Sequence, residues 1–200
     1  MGLAALGITL LSLLQLLGNQ FGMDRDGFRA LVLSPSSRRD ILLGKNLSVA
    51  PLALGLGALM IAVVQVLYPM RIDHLLATLA ELASTYLIFC VVANFTSIIA
   101  PQPLASGSLK PVHPKAIAVL VQFLFLLLLP ILIGLSVIPL GAELLLDHFG
   151  RLGAVPIYLL CSLPELAIVV WLYGYILTWQ GRMLQAREQR ILEVVTTKVE

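Results

Sequence analysis

Runs of consecutive apolar residues constrain this chain more than any other feature of its sequence. The stretch Val119–Leu129 reads VLVQFLFLLLL, and four further apolar stretches lie along the chain, at Gly2–Leu17, Leu47–Leu67, Leu79–Ala100 and Ala154–Trp179. A helix needs about 20 such residues to cross the hydrocarbon core of a bilayer. A transmembrane barrel would instead alternate apolar and polar residues, and VLVQFLFLLLL does not. The pattern therefore predicts membrane-spanning helices.

Composition supports a membrane protein and excludes several other classes. The chain has 200 residues, of which 59% are hydrophobic and only 12% are charged, whereas soluble domains carry about 45–50% apolar and about 25% charged residues. The net charge of +2 is too small to gather nucleic-acid phosphates. We expect a single membrane domain, an all-α polytopic helix bundle of the cell (inner) membrane, in contact with the lipid bilayer and without a nucleic-acid partner.

The apolar stretches predict about five spans. The last stretch is too long for one simple span and contains Pro156 and Pro164, so we expect it to be interrupted. The last span is predicted to begin at Pro164, because proline is favoured in the first turn of a helix. The predicted spans are 2–19, 46–68, 79–100, 117–140 and 164–181, joined by a loop at 20–45, a loop at 101–116 and outer re-entrant helices at 142–163, and followed by a tail at 182–200.

The distribution of basic residues predicts the orientation of these spans. Successive connecting segments and the tail carry 5, 1, 2, 1 and 4 Lys and Arg residues. Cytoplasmic loops are enriched in Lys and Arg, so the 20–45 loop, the 101–116 loop and the tail are predicted to be cytoplasmic. The amino end is then outside and the carboxyl end is cytoplasmic.

The 20–45 loop has chemistry unlike the rest of the chain. It lies within the segment FGMDRDGFRALVLSPSSRRDILLGKNLS. Asp24 and Asp26 can cap or charge the start of a short helix over 28–33, which Pro35 would end. Ser37 and the carboxylate three residues later then resemble a capping box at the start of a second helix that continues into the next span.

Two interpretations of this loop remain open from the residues alone. A basic loop can simply orient the chain and contact anionic lipid. A folded loop of mixed charge that carries an aromatic residue, Phe28, is better suited to docking a protein partner.

The same loop resembles the first cytoplasmic loop of permeases in the type-2 ABC exporter family, which contains a coupling helix. Gly27, Phe28 and Leu31 match the helix of that pattern, Ser34-Pro35 and Ser37-Arg38 match its turn, and Ile41-Leu42, Gly44 and Lys45 match its return. The resemblance implies an ATP-binding subunit as partner, together with a second permease copy or a longer permease. The resemblance and the chemistry of the loop together predict these docking residues: Asp24, Gly27, Phe28, Arg29, Leu31, Pro35, Ser37, Arg38 and Arg39.

One departure from the family pattern supports an alternative. Such permeases have six spans, with an elbow helix and a first span before the one that leads into the coupling loop, and this sequence begins at what would be the second span. The chain is then expected to be a truncated permease or one piece of a longer one. The alternative function is a membrane accessory or scaffold subunit without its own transport path.

We expect no enzyme activity, catalytic residue, metal site or cofactor in this chain. Gly44-Lys45 resembles the end of a phosphate-binding loop, but Asn46 follows where Ser or Thr is required. ATP hydrolysis is therefore expected in a separate subunit. The three histidines, His74, His113 and His148, are isolated from one another in the sequence.

Four polar residues are considered for lining a transport path, and Glu165, Asn94 and Ser97 are the candidates. Glu81 and Glu165 are the acidic residues nearest to span interiors, where carboxylates are costly and often functional. Stabilisation of a helix start is the first role expected for both, and lining a path is the second, for which Glu165 is the better candidate. Asn94 and Ser97, near the inner end of the third span, are expected to form interhelical hydrogen bonds first and to line a path second.

Overall fold

The computed structural model describes residues 17–104, 112, 116–150 and 155–196. These residues are all-helical, with no strand among them, in agreement with the predicted all-α fold class. The helical elements are α1 (Gln20–Asp24), a 3-10 turn (Arg25–Gly27), α2 (Phe28–Leu33), α3 (Arg38–Leu67), α4 (Ile72–Ile99), α5 (Ala116–Leu135), α6 (Ile138–His148) and α7 (Ile157–Val195).

Three of these helices, α3, α4 and α7, are long and apolar enough to cross a membrane. The apolar part of α5, Ala116–Leu128, is shorter. These helices fit a membrane protein. Most of the predicted span 2–19 lies outside the described residues, so the five-span topology and its orientation stay predictions.

The last helix does not begin where the sequence predicts. It starts at Ile157, and Pro164 lies inside it rather than in its first turn. Residues 157–163, assigned above to the re-entrant helices, therefore belong to α7, whereas α6 begins earlier than residue 142. Proline removes one backbone donor from the helix, but membrane helices tolerate it because neighbouring groups compensate for the lost hydrogen bond. One proline was thus too weak a signal for a helix boundary.

The same helix continues past the predicted end of the last span at residue 181. It buries one side of its final turns through Leu184, Ile191 and Val195, which are at most 5% exposed. Their spacing of seven and four residues places them on one helix face. The first part of the tail is therefore a packed helix, while 197–200 lie outside the described residues.

The described residues divide into two compact units. The first unit comprises 50–89, 129–150 and 155–173, and the second comprises 17–49, 90–104, 112, 116–128 and 174–196. The 20–45 loop lies entirely within the second unit.

Close helix packing marks the core of the first unit. Ile61 of α3 and Leu82 of α4 are buried against each other, with Leu54 and Leu75 packed around them. Gly57 of α3 faces the end of the Leu82 side chain, where a Cβ atom would overlap it. Small residues allow helices to approach closely in membranes, where packing is a main source of association.

Candidate functional site

Buried hydrogen bonds fix the residues at the start of the 20–45 loop. Asn19 donates through Nδ2 to the Gln102 carbonyl (2.9 Å) and accepts through Oδ1 from the Gln102 backbone N–H (3.0 Å). The Ser97 hydroxyl accepts from the Phe21 backbone N–H (3.2 Å). Gly22 lies so close to the Gln102 carbonyl that any Cβ atom would overlap it, so this position requires glycine.

An aromatic pair and an ion pair form the interior of the loop. The rings of Phe21 and Phe28 meet edge to face with centroids 5.1 Å apart, and both side chains are at most 2% exposed. Lys45 of α3 lies 5.5 Å from the Phe21 ring centroid and pairs with Asp24 at 2.5 Å. Phe28 therefore stabilises the loop from within and is not part of its surface, which corrects its predicted role as a docking residue.

The predicted capping box at the start of α3 is present in a modified form. The Ser37 hydroxyl accepts from the Asp40 backbone N–H (3.1 Å) and donates to the Asp40 carboxylate (2.7 Å). The predicted capping of α2 by Asp24 is wrong, because α2 is preceded by Gly27 and Asp24 pairs with Lys45. The Ser37–Asp40 cap could be predicted from the sequence because its partners are three residues apart. The Asp24–Lys45 pair could not, because its partners lie near opposite ends of the loop.

Arg38 fastens the turn between α2 and α3 to the last helix. Its Nε atom donates to the Glu188 carboxylate of α7 at 2.6 Å, and both side chains are largely buried. Its guanidinium also donates, at 2.9 to 3.4 Å, to the carbonyls that end α2 and form the turn: Leu31, Val32, Ser34 and Ser36. Charge-assisted bonds of this kind are the strong ones. Arg38 therefore positions the loop and does not present its charge to a partner.

The exposed surface of the loop is narrower than predicted. Of the predicted docking residues, Gly27, Arg29, Pro35, Ser37 and Arg39 are exposed, while Leu31 is half-buried. Leu33, which the sequence reasoning missed, is 78% exposed at the end of α2. We call Leu33–Ser37 the tip. The apolar run 30–33 indicated a helix, but its length is too short for periodicity to reveal which side chain faces outward.

Asn94 and Ser97 are buried hydrogen-bonding residues of the second unit. Asn94 donates to the side-chain carbonyl of Gln180 (3.2 Å), and Gln180 donates to the backbone carbonyl of Val91 (2.6 Å). Asn94 thus links α4 to α7, and Ser97 links α4 to the loop. Both have the interhelical role given first for them above. Gln180 was missed, because a lone glutamine in a long apolar stretch does not indicate its partner.

Glu165, the remaining predicted path residue, is half-buried on α7 in the first unit. It lies close enough to Glu81 of α4 for the two carboxyl groups to interact electrostatically. Glu81 is fully buried, and neither of its oxygens has a hydrogen-bond partner in the described part of the chain. One turn later, the buried hydroxyl of Ser84 is likewise without a partner there.

Glu143, which the sequence analysis did not single out, joins three elements of the same unit. Its carboxylate bonds to His74 Nε2 of α4 and accepts from the Tyr158 backbone N–H of α7, both at 2.6 Å. The His74 and Tyr158 rings also meet edge to face. Among the residues that the structure describes, no group of three or more His, Cys, Asp and Glu is placed to hold a metal ion.

Comparison of the chain with protein-family models, with curated proteins and with solved structures finds no match in any of the three.

Proposed function

We propose that this chain is the permease subunit of an ATP-driven ABC exporter, and that it couples to a separate ATP-binding subunit through the 20–45 loop. The observation that carries the proposal is the contrast between a firmly held loop and its exposed tip. Leu33 is 78% exposed, while the turn beside it is fastened by Arg38 to four carbonyls and to Glu188. The loop resemblance described above supplies the type of partner.

A rigid tip suits a coupling element because force applied to it is not absorbed by the loop. The Arg38–Glu188 pair connects the turn to α7, and the Asp24–Lys45 pair connects α1 to α3. Because α3 is continuous from Arg38 to Leu67, a displacement of the tip would move this membrane helix directly.

The tip also has the composition of a docking surface. One exposed leucine is common on protein surfaces and is weak support by itself. Leu33 and Pro35, however, are flanked by the exposed arginines Arg29 and Arg39, and apolar anchors surrounded by charge are typical of interfaces.

Energy would have to come from outside the chain. The Gly44-Lys45 pair lies within α3 rather than in a phosphate-binding loop, and Lys45 is engaged by Asp24 and Phe21. A separate ATP-binding subunit agrees with this arrangement.

Site-directed photocrosslinking in the native host tests the docking. A photoreactive residue at Leu33 is expected to crosslink to a protein that carries a phosphate-binding loop and hydrolyses ATP, identified by mass spectrometry. The matched control is the same residue at Leu144 of α6, which is 61% exposed and is predicted to lie on the outer side. Crosslinks from Leu144 but not from Leu33 would contradict the proposal.

The accessory role is a separate outcome of the same system. The ATPase can crosslink to Leu33 even if this chain has no transport path of its own. To separate the two functions, the chain, the ATPase and any permease that co-purifies with them are reconstituted together in liposomes. Crosslinking without ATP-driven transport in these liposomes would favour the scaffold function. Substitution of Leu33 by Asp should abolish crosslinking from a second photoreactive residue at Pro35 without altering the thermal stability of the chain.

A further inference from the structure

We infer that Glu81, Ser84 and Glu165 form a binding site for a small monovalent cation, either a free alkali ion or the ammonium group of a larger molecule. All three residues belong to the first unit. The site is separate from the 20–45 loop, and the inference does not depend on the proposed ATPase.

The first argument is the unsatisfied state of two buried polar side chains. Glu81 and Ser84 are each 0% exposed, and neither carboxyl oxygen of Glu81 nor the Ser84 hydroxyl has a partner in the described part of the chain. Buried polar groups in folded proteins are nearly always hydrogen-bonded, so each exception requires an explanation. Residues three apart share one helix face, and Glu81 and Ser84 therefore lie on the same face of α4.

The second argument is the charge around Glu81. Glu165 of α7 is its electrostatic neighbour, so the pair would carry two negative charges when ionised. An ionised carboxylate buried without a partner costs several kcal/mol or more. The site must then bind either protons or a cation, and we infer that the two compete.

Among the described residues, no basic side chain pairs with the Glu81 carboxyl group. The Tyr158 ring of α7 meets the His74 ring of α4 edge to face. His74 is bonded to Glu143 of α6, so neither of these titratable groups neutralises Glu81. Arg71 at the start of α4 is exposed and paired with Asp73.

The coordinating atoms indicate the class of cation. Carboxylate and hydroxyl oxygens suit hard cations and ammonium groups. A divalent ion such as Ca²⁺ takes 6–8 oxygen ligands, and the described residues contain no cluster of three or more acidic, His or Cys side chains to supply them. A singly charged cation that replaces one proton leaves the net charge of the buried site unchanged, and this exchange avoids the cost of burying extra charge.

Labelling with dicyclohexylcarbodiimide tests the site on the purified chain in lipid nanodiscs. The reagent enters apolar surroundings and adds the O–H of a protonated carboxyl group across one of its C=N bonds, whereas a carboxylate that holds a cation does not react. We expect mass spectrometry to find the adduct on Glu81. Sodium or ethylammonium chloride should slow its formation about tenfold when most sites are occupied, relative to the same concentration of bulky N-methylglucamine chloride.

The outcomes separate the two sources of the cation. Protection by sodium alone assigns a free alkali ion, protection by ethylammonium alone assigns an ammonium group of a larger molecule, and protection by both assigns a site selective only for charge and size. An unchanged labelling rate with both cations would overturn the inference. Because no ATPase is present, failure here is distinct from failure of the docking at Leu33.

Four variants assign the effect to particular residues. E81Q should remove the adduct, while S84A and E165Q should keep it but lose most of the protection by the cation. D147N, which alters an exposed carboxylate of the same unit, should match the unmodified chain. Full protection in both S84A and E165Q, with thermal unfolding unchanged, would overturn the assignment of these residues.

Discussion

Among the described residues, every buried polar side chain of the second unit forms at least one hydrogen bond, although one oxygen of Gln20 and one of Asn94 have no partner there. Two buried polar side chains of the first unit form none in the described part of the chain. In the second unit, Asn19 forms two hydrogen bonds with the backbone of Gln102, and Asn94 donates to Gln180, which itself donates to a backbone carbonyl. In the first unit, the carboxyl group of Glu81 and the hydroxyl of Ser84 have no partner among the described residues.

This difference separates positions that support the structure from positions available for binding. A satisfied buried network rigidifies the residues that it joins, whereas an unsatisfied polar group lowers stability unless a ligand completes it. The second unit therefore suits transmission of force from the 20–45 loop, and the first unit suits recognition of a charged ligand. Substitutions of buried, bonded side chains in the second unit should destabilise the chain, while substitution of Glu81 should not.

The largest expected effect is that of F28A in the second unit. Phe28 is 2% exposed and packs against Phe21, and truncation of a buried phenylalanine costs about 3–5 kcal/mol. We expect a lower free energy of unfolding, measured by SDS titration in mixed micelles, and faster tryptic cleavage of the 20–45 loop. L33A at the exposed tip is the control and should change stability by less than about 0.5 kcal/mol. Equal effects of the two variants would contradict the buried position of Phe28.

R38A, which removes the Arg38 side chain, should cause the second largest loss of stability. R38A removes a charged donor from the largely buried Glu188 carboxylate and from four backbone carbonyls, of which Leu31 keeps the Ser34 backbone N–H as a second donor. Removing one partner of a fully buried pair costs about 3–5 kcal/mol, and partial exposure here reduces that to about 2 kcal/mol.

The neighbouring arginine provides the control for R38A. Arg39 is exposed and only 3.4 Å from Asp40, so R39A should cost at most about 0.5 kcal/mol. A double-mutant cycle of R38A with E188A isolates the pair, and additive effects would show that the two side chains do not interact.

Substitution of Glu81 by an apolar residue should increase the stability of the chain. E81L replaces a buried carboxyl group that has no partner in the described part of the chain by an apolar side chain of similar size, and we expect a gain of about 1 kcal/mol in stability. The same variant should lose the cation protection described above, because binding sites are often built at the expense of stability. Thermal unfolding in nanodiscs without added sodium measures the gain. A loss of 2 kcal/mol or more, on the order of a broken buried pair, would place Glu81 among the structural residues.

The smallest effect is expected at Asn94. N94A removes one interhelical hydrogen bond, to Gln180, and such bonds are worth about 0.6 kcal/mol on average within membranes. SDS titration should detect a small loss of stability, with N94D as a stricter test because it removes the donor while keeping the size. A larger effect on transport than on stability would return Asn94 to the transport path.

Local patterns predicted the parts of the fold whose partners lie close in sequence. The helix over Phe28–Leu33, the break at Pro35 and the cap by Ser37 on Asp40 all depend on residues within a few positions of one another. The start of α7 was mispredicted, because Pro164 was treated as a boundary.

The candidate sites could be predicted only in part. The unusual chemistry of the 20–45 loop was visible in the sequence. Phe28 and Arg38 were predicted to dock a partner, whereas Phe28 is buried and Arg38 pairs with Glu188, 150 positions away. Neither property can be deduced from neighbouring residues alone. Glu165 was chosen above Glu81 because it follows a proline, yet Glu81 is the more deeply buried carboxyl group.

The sequence by itself determined that the chain is helical and suited to a membrane, because apolar runs of sufficient length and a low charge leave no other way to satisfy the backbone in lipid. Only the tertiary structure decided which polar side chains are bonded and which are free. Hydrogen bonds between helices depend on contacts across dozens of residues, as in the Asn19–Gln102 and Asn94–Gln180 pairs. For the same reason, the sequence did not reveal that the carboxyl group of Glu81 has no partner among the described residues.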